Sequence, residues 1–334
     1  MIYALIFIFF KINLYCEDSS LSIFYYKPYS DILANADLTL VSSIEKNRAG
    51  VNTAFLGDIL ENSVSASLWK DYYGGGTYAF VSSSFKLLND LGIGVSYLGY
   101  SSGEEDVYLM DQSVRSITYE NDRIFSIFSG YKINSNLNMG LKIKEIRSTI
   151  IEKYSASTLS GDLDILYKPG LSFLIYGGIE NAAGSLKYID EKESVPRTLK
   201  LELEKTFYFN NLNLRTGLGY KKTNDFNVYS LAFSAKPIYI PIIFDAGYMR
   251  ENDKNFFSFG ATLNIENVFF SYAVRYPEIF GSLMQRFSIT YFFENYNENK
   301  KIGNKVKRNT TDKQKKEHKK EIKPDKNLNN IIIF

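Results

Sequence analysis

Met284–Phe293 reads MQRFSITYFF. Phe287, Ile289, Tyr291 and Phe293 fall on one side, and Arg286, Ser288 and Thr290 on the other. That is the period-2 repeat of a strand with unlike faces. The stretch ends in aromatics, and a lysine-rich run with no apolar pattern follows it. A final strand of this kind suits a sheet that closes on its first strand.

The same alternation runs upstream. Leu91, Ile93, Val95 and Tyr97 alternate with Gly92, Gly94 and Ser96. Leu137, Met139, Leu141 and Ile143 alternate with Asn138, Gly140, Lys142 and Lys144. Leu163, Ile165 and Tyr167 face away from Asp162 and Asp164. Leu199, Leu201, Leu203 and Phe207 alternate with Lys200, Glu202, Glu204 and Thr206, and Leu212, Leu214, Leu218 and Tyr220 with Arg215, Gly217, Gly219 and Lys221. Turn signals separate these runs: Asp71–Thr77, the polar Gly103–Asp106, Lys168-Pro169-Gly170, Asn210-Asn211 and Glu251–Lys254. Regular strand–turn spacing of this kind argues all-β.

The apolar faces persist for about eight to ten residues, the length of a tilted membrane strand. A sandwich would bury such faces against each other, whereas a barrel shows them to lipid and turns the polar face to its lumen. Period 2 alone does not separate the two. Chain length, the closing aromatic strand and the N-terminus favour a closed antiparallel transmembrane β-barrel of about 14 strands, within about 12–16.

The N-terminus carries an apolar run, Ile2–Phe10, too short for a membrane helix and right for a secretory signal. We expect a signal peptide over 1–16, cleaved after Cys16; lipidation of Cys16 is the alternative. Residues 17–45 form an N-terminal segment, either a plug or the first strand. The barrel is expected over 46–293, and 294–334 as a disordered tail. That tail holds 12 Lys and Arg against six Asp and Glu and has no apolar face to bury. It would lie in the periplasm, available to contact lipid headgroups or peptidoglycan there. A secreted chain has no nucleic-acid partner, and a monomer is expected.

Tyr and Phe number 26 and 25 against one Trp, an excess that membrane interfaces use. Tyr25, Tyr26, Tyr72, Tyr73, Phe256, Phe257, Phe269, Phe270, Phe292 and Phe293 read as interface girdles. Cys16 and His318 are the only residues of their types, which removes thiolate and imidazole chemistry from the body. No cofactor, no metal and no enzyme activity are expected. Gly74–Gly76 lacks the Lys-Ser/Thr of a phosphate loop. Asp162 and Asp164 share a face, as a catalytic or calcium-binding pair would. With no third group patterned beside them they read as lumen-facing polar residues, together with Lys142, Lys144, Lys200, Glu202, Glu204, Arg215, Lys221 and Arg286. Opposite charges on neighbouring strands would pair as a ladder stiffening the wall.

Gly161-Asp-Leu-Asp-Ile-Leu-Tyr167, Gly177-Gly-Ile-Glu-Asn-Ala-Ala-Gly184, Val195-Pro196-Arg197 and the closing Ser282–Phe293 resemble the FadL-like outer-membrane proteins of the PorV/PorQ type, in particular an uncharacterised spirochaete group. The resemblance covers roughly 85–293. It implies an outer-membrane barrel that passes small hydrophobic, fatty-acid-like molecules inward, from an apolar pocket near the mouth past a movable segment. Relatives serving protein secretion leave a second reading, a plugged barrel that binds a partner through loops such as Ser101–Val114 or through the tail. A general porin is the third. The chain departs from the family pattern in having no Asn-Pro, and Ile32–Leu60 matches the family's Gly/Ala-rich hatch segment poorly.

Overall fold

The computed structural model describes residues 23, 28–41, 48–59, 61–70, 76–108, 113–170, 172–189, 191–223, 226–277 and 283–293. The expected signal peptide and lysine-rich tail lie outside them, as do Tyr25, Tyr26, Tyr72 and Tyr73.

Strands are β1 Ser63–Lys70, β2 Thr77–Leu88, β3 Leu91–Ser101, β4 Glu104–Tyr108, β5 Val114–Thr118, β6 Glu120–Asn134, β7 Leu137–Ile150, β8 Tyr154–Gly170 and β9 Phe173–Glu180. They continue with β10 Ser185–Tyr188, β11 Glu191–Ser194, β12 Thr198–Tyr208, β13 Leu212–Lys222, β14 Asn227–Pro237, β15 Ile242–Glu251, β16 Lys254–Ile265, β17 Val268–Pro277 and β18 Met284–Phe292. Fourteen of these close a barrel in the order β1-β18-β17-β16-β15-β14-β13-β12-β9-β8-β7-β6-β3-β2. All neighbours are antiparallel, and closure is made by β1 on β18, from Ser63↔Phe292 to Trp69↔Arg286. The remaining strands form two hairpins, β4–β5 and β10–β11, in the connections β3–β6 and β9–β12. Both hairpins therefore lie at one end, the mouth, opposite the end where the chain enters β1 and leaves β18.

The wall is inside out relative to a water-soluble protein. Ile143 is 65 % exposed while its neighbour Lys142 is 9 % exposed. Leu141, Leu159, Leu201, Leu218, Phe233, Phe244, Phe259, Tyr272 and Phe287 are likewise exposed, and Asp164, Lys200, Glu202, Glu204, Ser288 and Thr290 are buried. A bilayer accommodates an apolar exterior on a closed sheet with no free edge; water does not. No described helix is long and apolar enough to cross a membrane.

The lumen is filled by the chain's own N-terminal segment. It runs through α1 (Ser30–Ala34), α2 (Arg48–Val51) and a 3₁₀ turn (Thr53–Asp58). The first strand thus starts at Ser63, not near residue 46. Asn52 caps the 3₁₀ turn, accepting from the Ala54 N–H at 3.2 Å, and this local bond competes with extension into a strand. The glycines on the inner face now have a reason. A Cβ at Gly247 would come within 2.6 Å of Ala36 N, and one at Gly92 within 2.6 Å of Leu56 O. Wall and plug backbones approach too closely there for any side chain.

Three local expectations change. Lys168–Gly170 is not a turn but the end of β8, with the register broken between Tyr167 and Gly170, where Pro169 offers no N–H to the ladder. Gly103–Asp106 is no polar loop, since Glu104 onwards forms β4. The girdle loses three members, Phe256, Phe269 and Phe292, because adjacent strand residues face opposite ways. Phe292 is buried and meets Phe269 edge-on at 5.3 Å, while Phe293 is exposed. Phe256 packs inward with Ala36, Val228 and Met249, while Phe257 is exposed.

Candidate functional site

The candidate site is the plugged lumen together with the apolar cluster above the plug. Two strand carboxylates hold the plug in the same way. Glu202 Oε2 on β12 accepts from Thr39 N at 2.8 Å, Thr39 Oγ1 at 2.9 Å and Leu40 N at 2.9 Å. Asp164 Oδ2 on β8 accepts from Thr53 N at 2.8 Å and Thr53 Oγ1 at 2.6 Å, while its Oδ1 accepts from the Tyr176 hydroxyl at 2.8 Å. Each carboxylate thereby satisfies backbone N–H groups that the irregular plug leaves without a ladder.

Arg275 on β17 grips Asp37 through both guanidinium ends, at 2.8 and 3.2 Å, and also donates to the Leu33 carbonyl at 3.1 Å. Burial pushes the Asp37 carboxyl up, but Arg275 outweighs it and holds the group below the usual carboxylate range. At the entry end, Asp58 meets Lys168 at 2.5 Å, Lys132 at 3.4 Å and Asn138 Nδ2 at 2.6 Å. Burial again raises the carboxyl, and Lys168, Asn138 and Lys132 bring it to a net lowering. On the opposite wall the anchors are hydroxyls: Ser30 donates its N–H to Ser288 Oγ at 2.8 Å, and Tyr29 OH lies 2.6 Å from Ser82 Oγ.

The other sequence-predicted residues divide. Lys144 lies 2.5 Å from Asp162 and also bonds Asn181, and Lys200 pairs with Glu180. Lys142 donates to the Gly50 carbonyl at 3.2 Å and stands over the Phe128 ring. Arg215 lies 3.9 Å from Glu204. Lys221 stands over Phe226, and Arg286 over Trp69 at 4.2 Å. Across β12 and β13 the expected ladder is formed in part, by Arg215 and Glu204. The register puts Lys200 opposite Lys221 and both glutamates opposite glycines, because the pocket for Leu38 and Val41 of the plug occupies Gly217 and Gly219. The wall charges divide between the two tasks: Lys142, Asp164 and Glu202 hold the plug, while Lys144–Asp162, Lys200–Glu180 and Arg215–Glu204 pair across neighbouring strands.

Sequence reasoning missed Arg275, Asn138, Glu180 and the plug threonines. Arg275 was readable, since Ser271, Ala273 and Arg275 alternate with Tyr272, Val274 and Tyr276. Thr39 and Thr53 sit in aperiodic stretches that carry no such signal.

Toward the mouth lies a packed apolar cluster. Tyr29, Ile32 and Val51 from the plug meet Trp69, Tyr78, Phe80, Leu98, Tyr100, Ile124 and Ile146 from the wall, under Leu186 and Val195 of the β10–β11 region. Trp69 stacks on Tyr78 at 4.9 Å and 2°, and Tyr78 on Tyr100 at 4.6 Å. Beside this cluster opens a cavity of about 90 Å³. Val51, Phe80, Leu98 and Ile124 line one side, and Lys142, Lys144, Asp162 and Glu180 the other. An amphiphile fits such a lining better than a wholly apolar or wholly polar ligand.

No family model matches the chain, and no curated protein matches it by sequence. Solved structures do. The toluene transporter TbuX of Ralstonia pickettii is similar at 9 % identity and a TM-score of 0.55, over 81 % of this chain and 100 % of that one. The toluene transporter TodX of Pseudomonas putida is similar at 10 % identity and a TM-score of 0.56, over 80 % of this chain and 98 % of that one. A Pseudomonas aeruginosa FadL homologue gives 10 % identity, a TM-score of 0.56, and coverage of 80 % and 98 %. At such identities the likeness is one of fold, and the fold shared is that of FadL/TodX-type barrels.

Proposed function

We propose that the chain is an outer-membrane channel that takes small hydrophobic molecules inward, with fatty-acid-like amphiphiles as its cargo, and that it belongs to the PorV/PorQ type of FadL-like proteins. The observation that carries this is the apolar, aromatic cluster with its adjoining cavity, set between the mouth and a polar-anchored plug. A ligand would enter among Trp69, Tyr78 and Tyr100 and lodge its head near Lys142. The cavity is smaller than the roughly 150 Å³ that admits benzene, so binding displaces Val51 and its neighbours. Plug displacement is then coupled to occupancy, and passage follows from it. The plugged lumen weighs against a general porin. In this reading residues 1–16 are a cleaved signal, the barrel is monomeric in the outer membrane, and the tail is periplasmic.

A second reading, a partner-binding barrel, rests on the β4–β5 hairpin, whose Val114 is exposed at the mouth.

The test uses protein refolded into lipid vesicles, titrated with a fluorescent long-chain fatty acid while ion conductance is recorded. Saturable binding with little conductance supports transport. Conductance without binding supports a porin, and neither supports the partner-binding barrel. Lys142→Met should weaken the fatty acid about tenfold, one charged hydrogen bond's worth, and leave the matching alcohol unchanged.

A further inference from the structure

Directly above the Ile124 and Ile146 layer of the apolar cluster, toward the mouth, lies a polar layer that the transport reading does not use. Asp122 precedes Ile124 by two residues on β6, Ser148 follows Ile146 by two on β7, and the two are cross-strand partners. Asp122 is 1 % exposed and Ser148 0 % exposed. Neither Asp122 oxygen nor the Ser148 hydroxyl makes a well-formed hydrogen bond of 3.5 Å or less, although Ser148 and Glu120 lie close enough to Asp122 to act on its charge. Glu120, half-buried, is next on the same face of β6.

The β10–β11 hairpin roofs this layer. Its Leu186 is fully buried in the apolar cluster, and Glu193 is the cross-strand partner of Leu186 and so shares its face. Tyr188 is on that face too, and its hydroxyl also lacks a partner. The Tyr188 phenol is pushed up to about 12, by burial first; the Ser148 hydroxyl works in the opposite sense, and the negative field of Asp122, Glu193 and Glu120 adds to the rise. The groups therefore converge. The nearby cations point away. Arg123 and Arg147 are exposed on the barrel's outer face, and Lys187 and Lys192 are exposed on the hairpin. Among the described residues, Asp122 and Glu120 form no ion pair.

A buried carboxylate with neither oxygen bonded is costly unless it is neutralised or coordinated. Carboxylates and hydroxyls without nitrogen or sulfur are the donors that calcium prefers. The described residues contain no ready-made group of three metal-ligating His, Cys, Asp or Glu side chains. Two wall carboxylates and a serine stand in place, and a third carboxylate is carried by the hairpin above them.

We propose that a divalent cation of the calcium type binds between Glu120, Asp122 and Ser148 of the wall and draws in Glu193, pinning the β10–β11 hairpin across the mouth. Tyr188 supplies a further oxygen at the rim. The bond adds to the Leu186 packing and the Ser185–Thr158 hydrogen bond that already seat the hairpin on the wall, and it makes the hairpin's attachment depend on the external cation level. An affinity of about 10⁻⁴–10⁻³ M suits an external site of few ligands.

The experiment uses chelator-stripped protein refolded in vesicles, titrated with calcium chloride in a calorimeter, with trypsin cleavage after Lys187 and Lys192 followed in parallel. One saturable calcium per chain is expected, with cleavage slowed about tenfold or more. Magnesium should bind more weakly, since it demands a tighter octahedral shell. Asp122→Asn should abolish binding, and Glu193→Gln should abolish the protection, with both variants still migrating as heat-modifiable barrels. Absence of saturable binding in the native protein overturns the proposal and leaves the acids neutralised by protons. Binding that survives Asp122→Asn overturns it equally, because the ion is then elsewhere. Neither readout involves cargo, so failure of the transport reading leaves this result independent.

Discussion

Glu202 and Thr39 are joined twice, through the threonine N–H and its hydroxyl, and Asp164 and Thr53 repeat the arrangement on the same side of the lumen, one strand beyond β9. Hydrogen bonds to a charged acceptor contribute about 1.5–3 kcal/mol each. Each latch is thus worth about 10²-fold in plug attachment. Glu202→Gln and Asp164→Asn singly should leave the lumen closed most of the time, and the double variant should raise ion conductance by about 10²-fold. Single-channel recording reads this directly. Unchanged conductance in the double variant would show that the latches do not hold the plug.

Acid should loosen the same plug late. Asp37 and Asp58 both titrate below their ordinary range in the folded protein. A lowered folded pKa gives stability that is present above the unfolded value, near pH 4, and lost as pH falls through the folded value. In the Glu202→Gln/Asp164→Asn variant, where Asp37 and Asp58 are the plug's carboxylate anchors that remain, conductance should therefore stay flat from neutral pH to about pH 4 and rise below it. A rise centred near pH 6 would mean that other groups govern attachment.

The glycine contacts predict variants that evict the plug without harming the sheet. Gly130 and Gly140 face Thr53 of the 3₁₀ turn, with no room for a Cβ. Gly130→Leu should refold as a barrel, since it lies on an antiparallel ladder that tolerates Leu, yet expose residues 53–57 to protease. A fully protected 3₁₀ turn in that variant would contradict the close packing described.

On the outer face, Ile143→Lys should cost about 2–4 kcal/mol of folding stability in lipid, the usual penalty for a cation near the bilayer midplane. Urea titration in vesicles measures it. A cost near zero would place Ile143 outside the hydrocarbon.

The wall was readable because a strand repeats its instruction every second residue. Leu137–Lys144 or Leu199–Thr206 state a side for each residue several times over, so single exceptions such as Lys205 do little harm. Closure was legible in Met284–Phe293 for the same reason. The plug was not. Its positions are set by bonds to residues more than a hundred places away, such as Thr39 to Glu202 and Thr53 to Asp164. No local period announces such partners, and Thr39 looks like any loop threonine. The lumen charges could be named from alternation, but their partners, on the plug for Glu202 and Asp164 and on the next strand for Lys144 and Lys200, depend on the register, which the sequence does not print.

The plug precedes β1 in the chain, yet Ser30 bonds Ser288 and Leu33 bonds Arg275. Those partners are among the last residues of the barrel to be made. The segment synthesised first therefore finds its seat last, and the sheet has to be wrapped around it before β1 meets β18. Such long-separation contacts are slow to form because the chain entropy between them is lost before they repay it. A barrel that closes early would be sealed with its plug outside. The order in which strands join is thus a condition for a filled lumen.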